Sequence, residues 1–375
     1  MVVNIMAENF TLESIMHDGD VHHPLGGGSY VWQSGFVEYL NRNVQRNQVR
    51  ISIGAQPNSS PHLGTCVVFS LGFALAEQLR NRGRDPTIFF EMIDTAPAET
   101  TRIDGVEYQR SLRGTKEVEA HVHEFNDLLE TLSKFSGVTY TTRRQFDFNA
   151  QPVLGRIVNE ILEQRKVLGP MLDPENGLLR IRVACPRCGL TDKKGKKNEY
   201  LEGRIESHCP THGKTSTDVM TDSAKLEFNT PVRNLVRALV YASDNEDASV
   251  PHEWLRVTGS DYAGYYQEQL LYKAASVLGR NASTLPSIVY APLITDWSGA
   301  KLSKSLYVKK NAYRYLPTFV MGYSALRAEK GIVGVRRLYD ETSDWLQNSY
   351  KLFRNYSVHY LIKMFEDERK DVEQA

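Results

Sequence analysis

From residue 48 onward the hydrophobic positions follow two alternating rhythms. Residues 48–55 (QVRISIGA) are a β-branched run that predicts a strand, followed by the loop QPNSSPHLG. Residues 66–82 put Val67, Val68, Leu71, Leu75 and Leu79 on one side of a helix that Gly83 stops. Residues 86–92 (PTIFFEM) read as a buried strand. Residues 116–136 then space Val118, Val122, Phe125, Leu129 and Leu132 at three or four, an amphipathic helix ended by Gly137. A strand over 138–142 and a helix over 152–168 follow. A Cys- and Lys-rich stretch, 180–216, breaks the alternation, which resumes as helix 231–242, strand 254–259, helix 262–278 and strand 287–293. Strands alternating with helices of this length make a parallel sheet wrapped by crossovers. Two half-sheets around an insertion predict an α/β fold with a split doubly wound parallel sheet. The expected organisation is an N-terminal extension (1–47), a first half of the sheet domain (48–179), a metal-binding insertion (180–216), a second half (217–310) and a small C-terminal helical domain (311–375).

Composition changes this picture little. The 375 residues are 41% hydrophobic and 24% charged, ordinary for a globular protein of two or three units. Lys+Arg and Asp+Glu both total 45, which excludes a surface coated in positive charge for nucleic acid but not a local basic face. No run approaches a membrane span, and the first residues lack the basic start and apolar stretch of a secretory signal. Three of the four cysteines cluster with a histidine, which points to metal binding in a reducing compartment. The expectation is a cytoplasmic enzyme with no membrane partner.

The cluster is Cys185-Pro-Arg-Cys188 with Cys209-Pro-Thr-His212, two knuckles each trailed by a glycine, Gly189 and Gly213. Four such ligands favour tetrahedral zinc, structural because no position stays open. His208 is the alternative fourth ligand. Lys193, Lys194, Lys196 and Lys197 between the knuckles read as a solvated loop or as a contact for RNA phosphates. Gly26, Gly27 and Gly28 read as a surface loop, since no strand precedes them and no GK[ST] follows.

Three elements fall at strand ends. Pro61-His62-Leu63-Gly64-Thr65 lies between the first strand and its helix, where a helix N-terminus favours phosphate and glycine admits a close backbone. Lys301-Leu302-Ser303-Lys304-Ser305 follows the last strand and suits a mobile clamp on a triphosphate. Gly259-Ser260-Asp261 ends a strand and begins a helix, where an acid can accept from ribose hydroxyls or cap the helix. Taken singly, each reads as an ordinary loop or cap. Asp94, after strand 86–92, is a candidate for an α-ammonium or basic side chain, and Tyr265 and Gln267 are candidates for an amino-acid pocket.

In this order the three elements resemble those of the class I aminoacyl-tRNA synthetases. His62-Leu63-Gly64-Thr65 is similar to that family's HIGH motif, Lys301-Leu302-Ser303-Lys304-Ser305 to its KMSKS motif, and Gly259-Ser260-Asp261 looks like the GxD element between them. The stretch from Ile53 through Thr65, with the zinc-bearing insertion, resembles the class I lysyl-tRNA synthetases. Thr65 departs from the second His of the motif, and Leu302 from its Met, the latter a volume-conserving swap. The resemblance covers residues 48–310. It implies a Rossmann-like core of the HIGH superfamily that activates an amino acid with ATP and releases pyrophosphate, with Mg2+ on the phosphates. The implied catalytic residues are His62, Thr65, Lys301 and Lys304, and the implied ATP-binding residues Gly54, Gly64, Gly259, Asp261, Ser303 and Ser305. It leans toward lysine or another basic amino acid as substrate.

The acceptor is a separate question. The resemblance implies a large helical anticodon-binding region after the KMSKS-like loop, whereas only 306–375 follow Ser305 here. This favours a small molecule, peptide or carrier over tRNA. A compact tRNA ligase of the lysyl type and a non-catalytic RNA-binding or regulatory paralogue are the alternatives. Trp345, Tyr350, Phe353, Tyr356 and Tyr360, with Arg336, Arg337, Lys351 and Arg354 among them, suit a helical hairpin packed on the core better than an RNA-stacking surface.

Overall fold

The computed structural model describes residues 28–33, 35–115, 118–302 and 313–366. Gly26, Gly27 and the rest of the extension up to residue 27, together with Ser303, Lys304 and Ser305, lie outside the described residues. The described residues open with a short helix, Gly28–Trp32, so Gly28 starts a helix rather than lying in the expected surface loop; after it come α1 (Phe36–Asn43), β1 (Gln48–Ala55), α2 (Leu63–Arg80) and β2 (Asp85–Met92). A hairpin of β3 (Pro97–Ile103) and β4 (Val106–Ser111) precedes α3 (Val118–Ser136), β5 (Tyr140–Arg144), α4 (Pro152–Glu163) and α5 (Arg165–Leu172). From the insertion onward the chain adds β6 (Ile181–Val183), β7 (Thr191–Asp192), β8 (Glu199–Leu201), β9 (Arg204–Cys209), β10 (Gly213–Asp218) and, beyond the insertion, β11 (Leu226–Phe228). Then come α6 (Thr230–Glu246), β12 (His252–Gly259), β13 (Ser287–Ala291), β14 (Ile294–Thr295), α7 (Tyr323–Gln347), β15 (Tyr356–Ser357) and α8 (Val358–Glu366).

Five strands form the central sheet in the order β13-β12-β1-β2-β5, and every neighbouring pair is parallel. The chain walks outward from β1 to β5, then returns to β12 on the other side of β1. The winding therefore reverses between β1 and β12, and ligands of such sheets collect beyond the carboxyl ends of the strands at that reversal.

Alternate residues of each strand face opposite sides, so the sheet has two unlike faces. One carries Ile51, Ile53, Ile88, Phe90, Leu255 and Val257, and α2 and α3 pack there within one apolar core. Gly72 of α2 permits this approach, since a Cβ there would lie 2.3 Å from Ile53 Cδ1. On the other face Trp254 stacks on Tyr241 of α6 at 4.2 Å and meets Phe89 edge-on at 5.1 Å. Helix α7 covers α2 on its outer side, where Tyr339 donates a hydrogen bond to Glu77 (2.7 Å). Trp345 and Tyr356 are fully buried and stack at 4.2 Å, so this part of the tail packs as core. Among the described residues no helix is long and apolar enough to cross a membrane.

Three local features differ from the expected pattern. The helix over 152–168 is two helices, α4 and α5, parted at Gln164, whose ψ of 13° leaves the helical range. Within the expected helix over 262–278, Tyr265–Ala274 has π-helical bonding, a widened turn frequent at functional sites. The β3–β4 hairpin was not foreseen. Its turn is Asp104-Gly105, both at positive φ (48° and 77°), the Asp-Gly signature of a tight hairpin. β4 also pairs with β7, which ties this hairpin to the insertion.

Candidate active site and metal centre

Beyond the ends of β1 and β12, where the winding reverses, a cleft of about 320 Å³ opens. Gly54, His62, Gly64, Thr65, Gly259, Asp261 and Lys301 line it, with Ile93, Phe125, Arg233, Tyr262 and Leu302. Six segments distant in sequence thus meet at one edge of the sheet.

His62 is the N-cap of α2. Its Nδ1 accepts the backbone N–H of Thr65 (3.2 Å), and this puts the ring proton of the neutral imidazole on Nε2. Gly64 lets the first turn pass close to the ring, since a Cβ there would lie 3.2 Å from His62 Cε1. The loop before it is clamped from outside. The Pro61 carbonyl accepts the N–H of Tyr323, the first residue of α7 (2.7 Å). Cys66, one turn into α2, is a core thiol, and burial pushes its pKa up to about 12.

Gly259 ends β12, and a Cβ on it would fall 2.6 Å from Asp261 Oδ1. Asp261 in turn binds Lys301, with Nζ 2.6 Å from Oδ2. Both side chains are partly exposed, so this pair contributes on the order of 1 kcal/mol or less and can yield to a nucleotide. Lys301 stands just past a tight turn in which the Asp296 N–H donates to the Ala300 carbonyl (2.8 Å) and the Gly299 N–H to the Asp296 carbonyl (3.0 Å), with Gly299 at φ 78°. Leu302 N–H donates to Ile294 (2.9 Å), so the base of the loop is anchored to β14.

Asp94, Tyr265 and Gln267 are not brought to the cleft. Asp94 is buried against Arg113 (3.3 Å), and burial raises its carboxyl pKa despite that guanidinium. Tyr265 is half-buried among the tyrosines of the π-helix, and Gln267 is exposed on it. The described carboxylate lining the cleft is Asp261 alone.

The residues that pattern reading passed over lie on the α6 side. Arg233, Arg237 and Arg256 are all nearly fully buried (6%, 1% and 6% exposed). Arg233 sits in the first turn of α6 and lines the cleft; Arg237 follows one turn deeper, and Arg256 projects from β12. Among the described residues their side-chain hydrogen-bond partners are neutral: Thr230 for Arg233, Gln145 for Arg237, Tyr266 and Asn234 for Arg256. The Nε of all three, and Nη1 of Arg237 and Arg256, are buried without a hydrogen-bond partner among the described residues. Glu91, fully buried beneath them, is already engaged by Arg143 and by the Tyr241 hydroxyl (2.9 Å). Burial, and next the charge of Arg237, pull Arg233 down to about 9. An Arg-x3-Arg spacing on the buried stripe of an apolar helix was the available signal.

In the insertion, one ligand atom from each of Cys185, Cys188, Cys209 and His212 lies within 4.8 Å of the others. Cys188 Sγ is 3.6 Å from Cys209 Sγ, and His212 Nδ1 is 3.5 Å from Cys185 Sγ and 3.6 Å from Cys209 Sγ. Zinc bonds of about 2.3 Å to sulfur and about 2.0 Å to nitrogen, arranged tetrahedrally, give edges of roughly this size. The residues therefore fit zinc. Gly189 and Gly213 both adopt positive φ (73° and 75°), which turns the chain after each knuckle. His212 rather than His208 completes the set.

No family model matches the sequence, and no curated protein matches it. Similar solved structures include a glutamate-tRNA ligase from Elizabethkingia meningosepticum in complex with its amino acid, at 15% identity over 86% of this chain and 70% of that one, TM-score 0.39. A glutamate-tRNA synthetase from Elizabethkingia anophelis is similar at 15% identity over 84% and 70%, TM-score 0.39. A tyrosyl-tRNA synthetase from Archaeoglobus fulgidus, complexed with L-tyrosine, is similar at 14% identity over 89% and 91%, TM-score 0.37.

Proposed function

We propose that the protein is an ATP-dependent, adenylate-forming enzyme of the class I aminoacyl-tRNA synthetase type. The observation that carries this reading is the single cleft at the reversal of the sheet, shared by His62, Gly64, Gly259, Asp261 and Lys301. No nucleophile or paired general acid and base is required of the protein. A substrate carboxylate oxygen attacks the α-phosphorus of ATP, the bond to the bridging oxygen breaks, and pyrophosphate leaves. Catalysis then consists of positioning the two reactants and stabilising charge on the leaving phosphates.

Each side chain has a role in that scheme. The α2 N-terminus favours the phosphate chain. His62 donates through Nε2, the nitrogen left protonated by its Thr65 hydrogen bond. Asp261 accepts from ribose hydroxyls, which frees Lys301 for the phosphates. Ser303, Lys304 and Ser305 extend that clamp. Magnesium would ride on the phosphates and supply further charge neutralisation there. Zinc would be held by Cys185, Cys188, Cys209 and His212 and would brace the insertion. The preference for a small molecule, peptide or carrier as acceptor, drawn from the short C-terminal stretch, finds no support in the site.

The test is ATP–pyrophosphate exchange against a panel of amino acids, with and without tRNA. Wild-type protein should exchange with one amino acid, and Lys304→Ala and Lys301→Ala should slow exchange by about 100-fold with zinc content and fold intact. Undiminished exchange in both variants would remove the clamp from the mechanism.

A further inference from the structure

Resting on the adenylating reading of the cleft, we propose that its amino-acid substrate carries an anionic side chain, a carboxylate received by Arg233 with Arg237 and Arg256 behind it. The two sides of the cleft separate two negative charges. The α-carboxylate must meet the α-phosphorus, and the phosphate groups (His62, Lys301 and the α2 N-terminus) belong to the sheet face that α2 covers. The three arginines belong to the opposite face, under α6. An anion drawn to them is therefore a second one, carried by the rest of the substrate.

The buried charge asks for such a partner. A guanidinium taken out of water without a carboxylate costs several kcal/mol, and natural folds pair or hydrogen-bond such groups. Here five donor nitrogens of three neighbouring arginines lack hydrogen-bond partners among the described residues, namely three Nε and two Nη1. Glu91 cannot serve them all, since Arg143 and Tyr241 already hold it. Access to the set runs through Arg233, which itself lines the cleft. Arg237 lies behind the cleft wall, beneath the bare backbone of Gly54, where a Cβ would lie 3.1 Å from Arg237 Nη1.

The same groups exclude the basic substrate that the lysyl resemblance suggested. A lysine side chain would enter against the three guanidiniums. Among the described residues the one lining carboxylate, Asp261, is bound to Lys301, and Asp94 is bound to Arg113 outside the cleft. Charge discriminates strongly in such a pocket, because the wrong substrate leaves buried donors unpaired and adds repulsion.

Direct binding tests this without relying on turnover. Calorimetric titration of the wild-type chain with L-glutamate, L-aspartate, L-lysine and L-leucine should show one acidic amino acid bound at least about 100-fold tighter than lysine. Arg233→Gln should weaken that binding by about tenfold or more, and Arg233→Lys, which keeps the charge, should weaken it less. Lysine or leucine binding more tightly than both acids would overturn the proposal, as would no binding of either acid at about 10 mM. Unchanged affinity in a folded Arg233→Gln protein would overturn it too. The outcomes separate from those of the parent reading. Acid binding without pyrophosphate exchange removes adenylation and leaves the anion site standing. Exchange with lysine alone does the reverse.

Discussion

Helices α2 and α6 lie on opposite faces of one sheet, both are buried over most of their length, and they are built from different chemistry. The buried residues of α2 include Leu63, Cys66, Val67, Phe69, Leu71, Phe73, Leu75 and Leu79, with Ser70 the one polar side chain among the buried set. The buried residues of α6 include Arg233, Asn234, Arg237 and Tyr241 beside Leu235, Val236 and Leu239. Apolar burial on α2 explains its position by itself, at roughly 25 cal/mol for each Å² removed from water. The arginines of α6 oppose folding where they stand. A group that a fold holds at a cost to its stability is more informative about ligands than one that stabilises it.

Substitutions on the two helices should therefore diverge. Phe69→Ala empties a site packed against Phe90 (5.2 Å) and should cost about 3–5 kcal/mol in urea unfolding. A loss under about 1 kcal/mol would mean that the α2 face is not the structural one. Next in size, His62→Ala should slow pyrophosphate exchange by about 100-fold, close to 3 kcal/mol, while shifting stability by about 1 kcal/mol through the lost N-cap. A smaller effect follows at Gly72. Gly72→Ala forces Ile53 from its rotamer and should cost about 1–2 kcal/mol, with little effect on substrate binding. The smallest change, and the one of opposite sign, belongs to α6. Arg237→Met should leave the melting temperature unchanged or raise it, because a buried cation only partly compensated by Glu91 and Gln145 is replaced by apolar volume, yet it should weaken binding of the acidic substrate. A large drop in melting temperature would show that Arg237 is structurally paired and would dissolve the contrast.

Most of the sheet was readable because its strands are continuous apolar runs and its helices keep a period of 3.6. The cluster of Cys185, Cys188, Cys209 and His212 was readable because short Cys and His spacings bring such side chains together at one point. The β3–β4 hairpin escaped because β3, PAETTRI, is largely exposed and carries no apolar alternation, although Asp104-Gly105 announced the turn. That omission propagated to the site. Asp94 stands at a strand end, where acids commonly face a ligand, but Arg113, just after the hairpin, draws it away. Tyr265 and Gln267 were nominated because they follow Gly259-Ser260-Asp261 on a helix expected to flank the pocket, and that segment is a π-helix whose widened turns redirect its side chains. Arg233 and Arg237 were read as helix, and only burial distinguishes them from the solvated arginines of an ordinary amphipathic face. His62, Gly64, Gly259, Asp261 and Lys301 could be nominated from sequence because loops at strand ends converge in this topology whatever their spacing along the chain.

The most direct test of the account is to look for the intermediate on the protein. Rapid quenching after mixing wild-type chain with ATP labelled at the α-phosphate, magnesium and each acidic amino acid should trap about one labelled aminoacyl-adenylate per chain with one of them and none with lysine. Labelled adenylate with lysine and neither acid would contradict the assignment of the α6 arginines. No adenylate with any amino acid, with tRNA absent or present, would contradict the adenylating function itself.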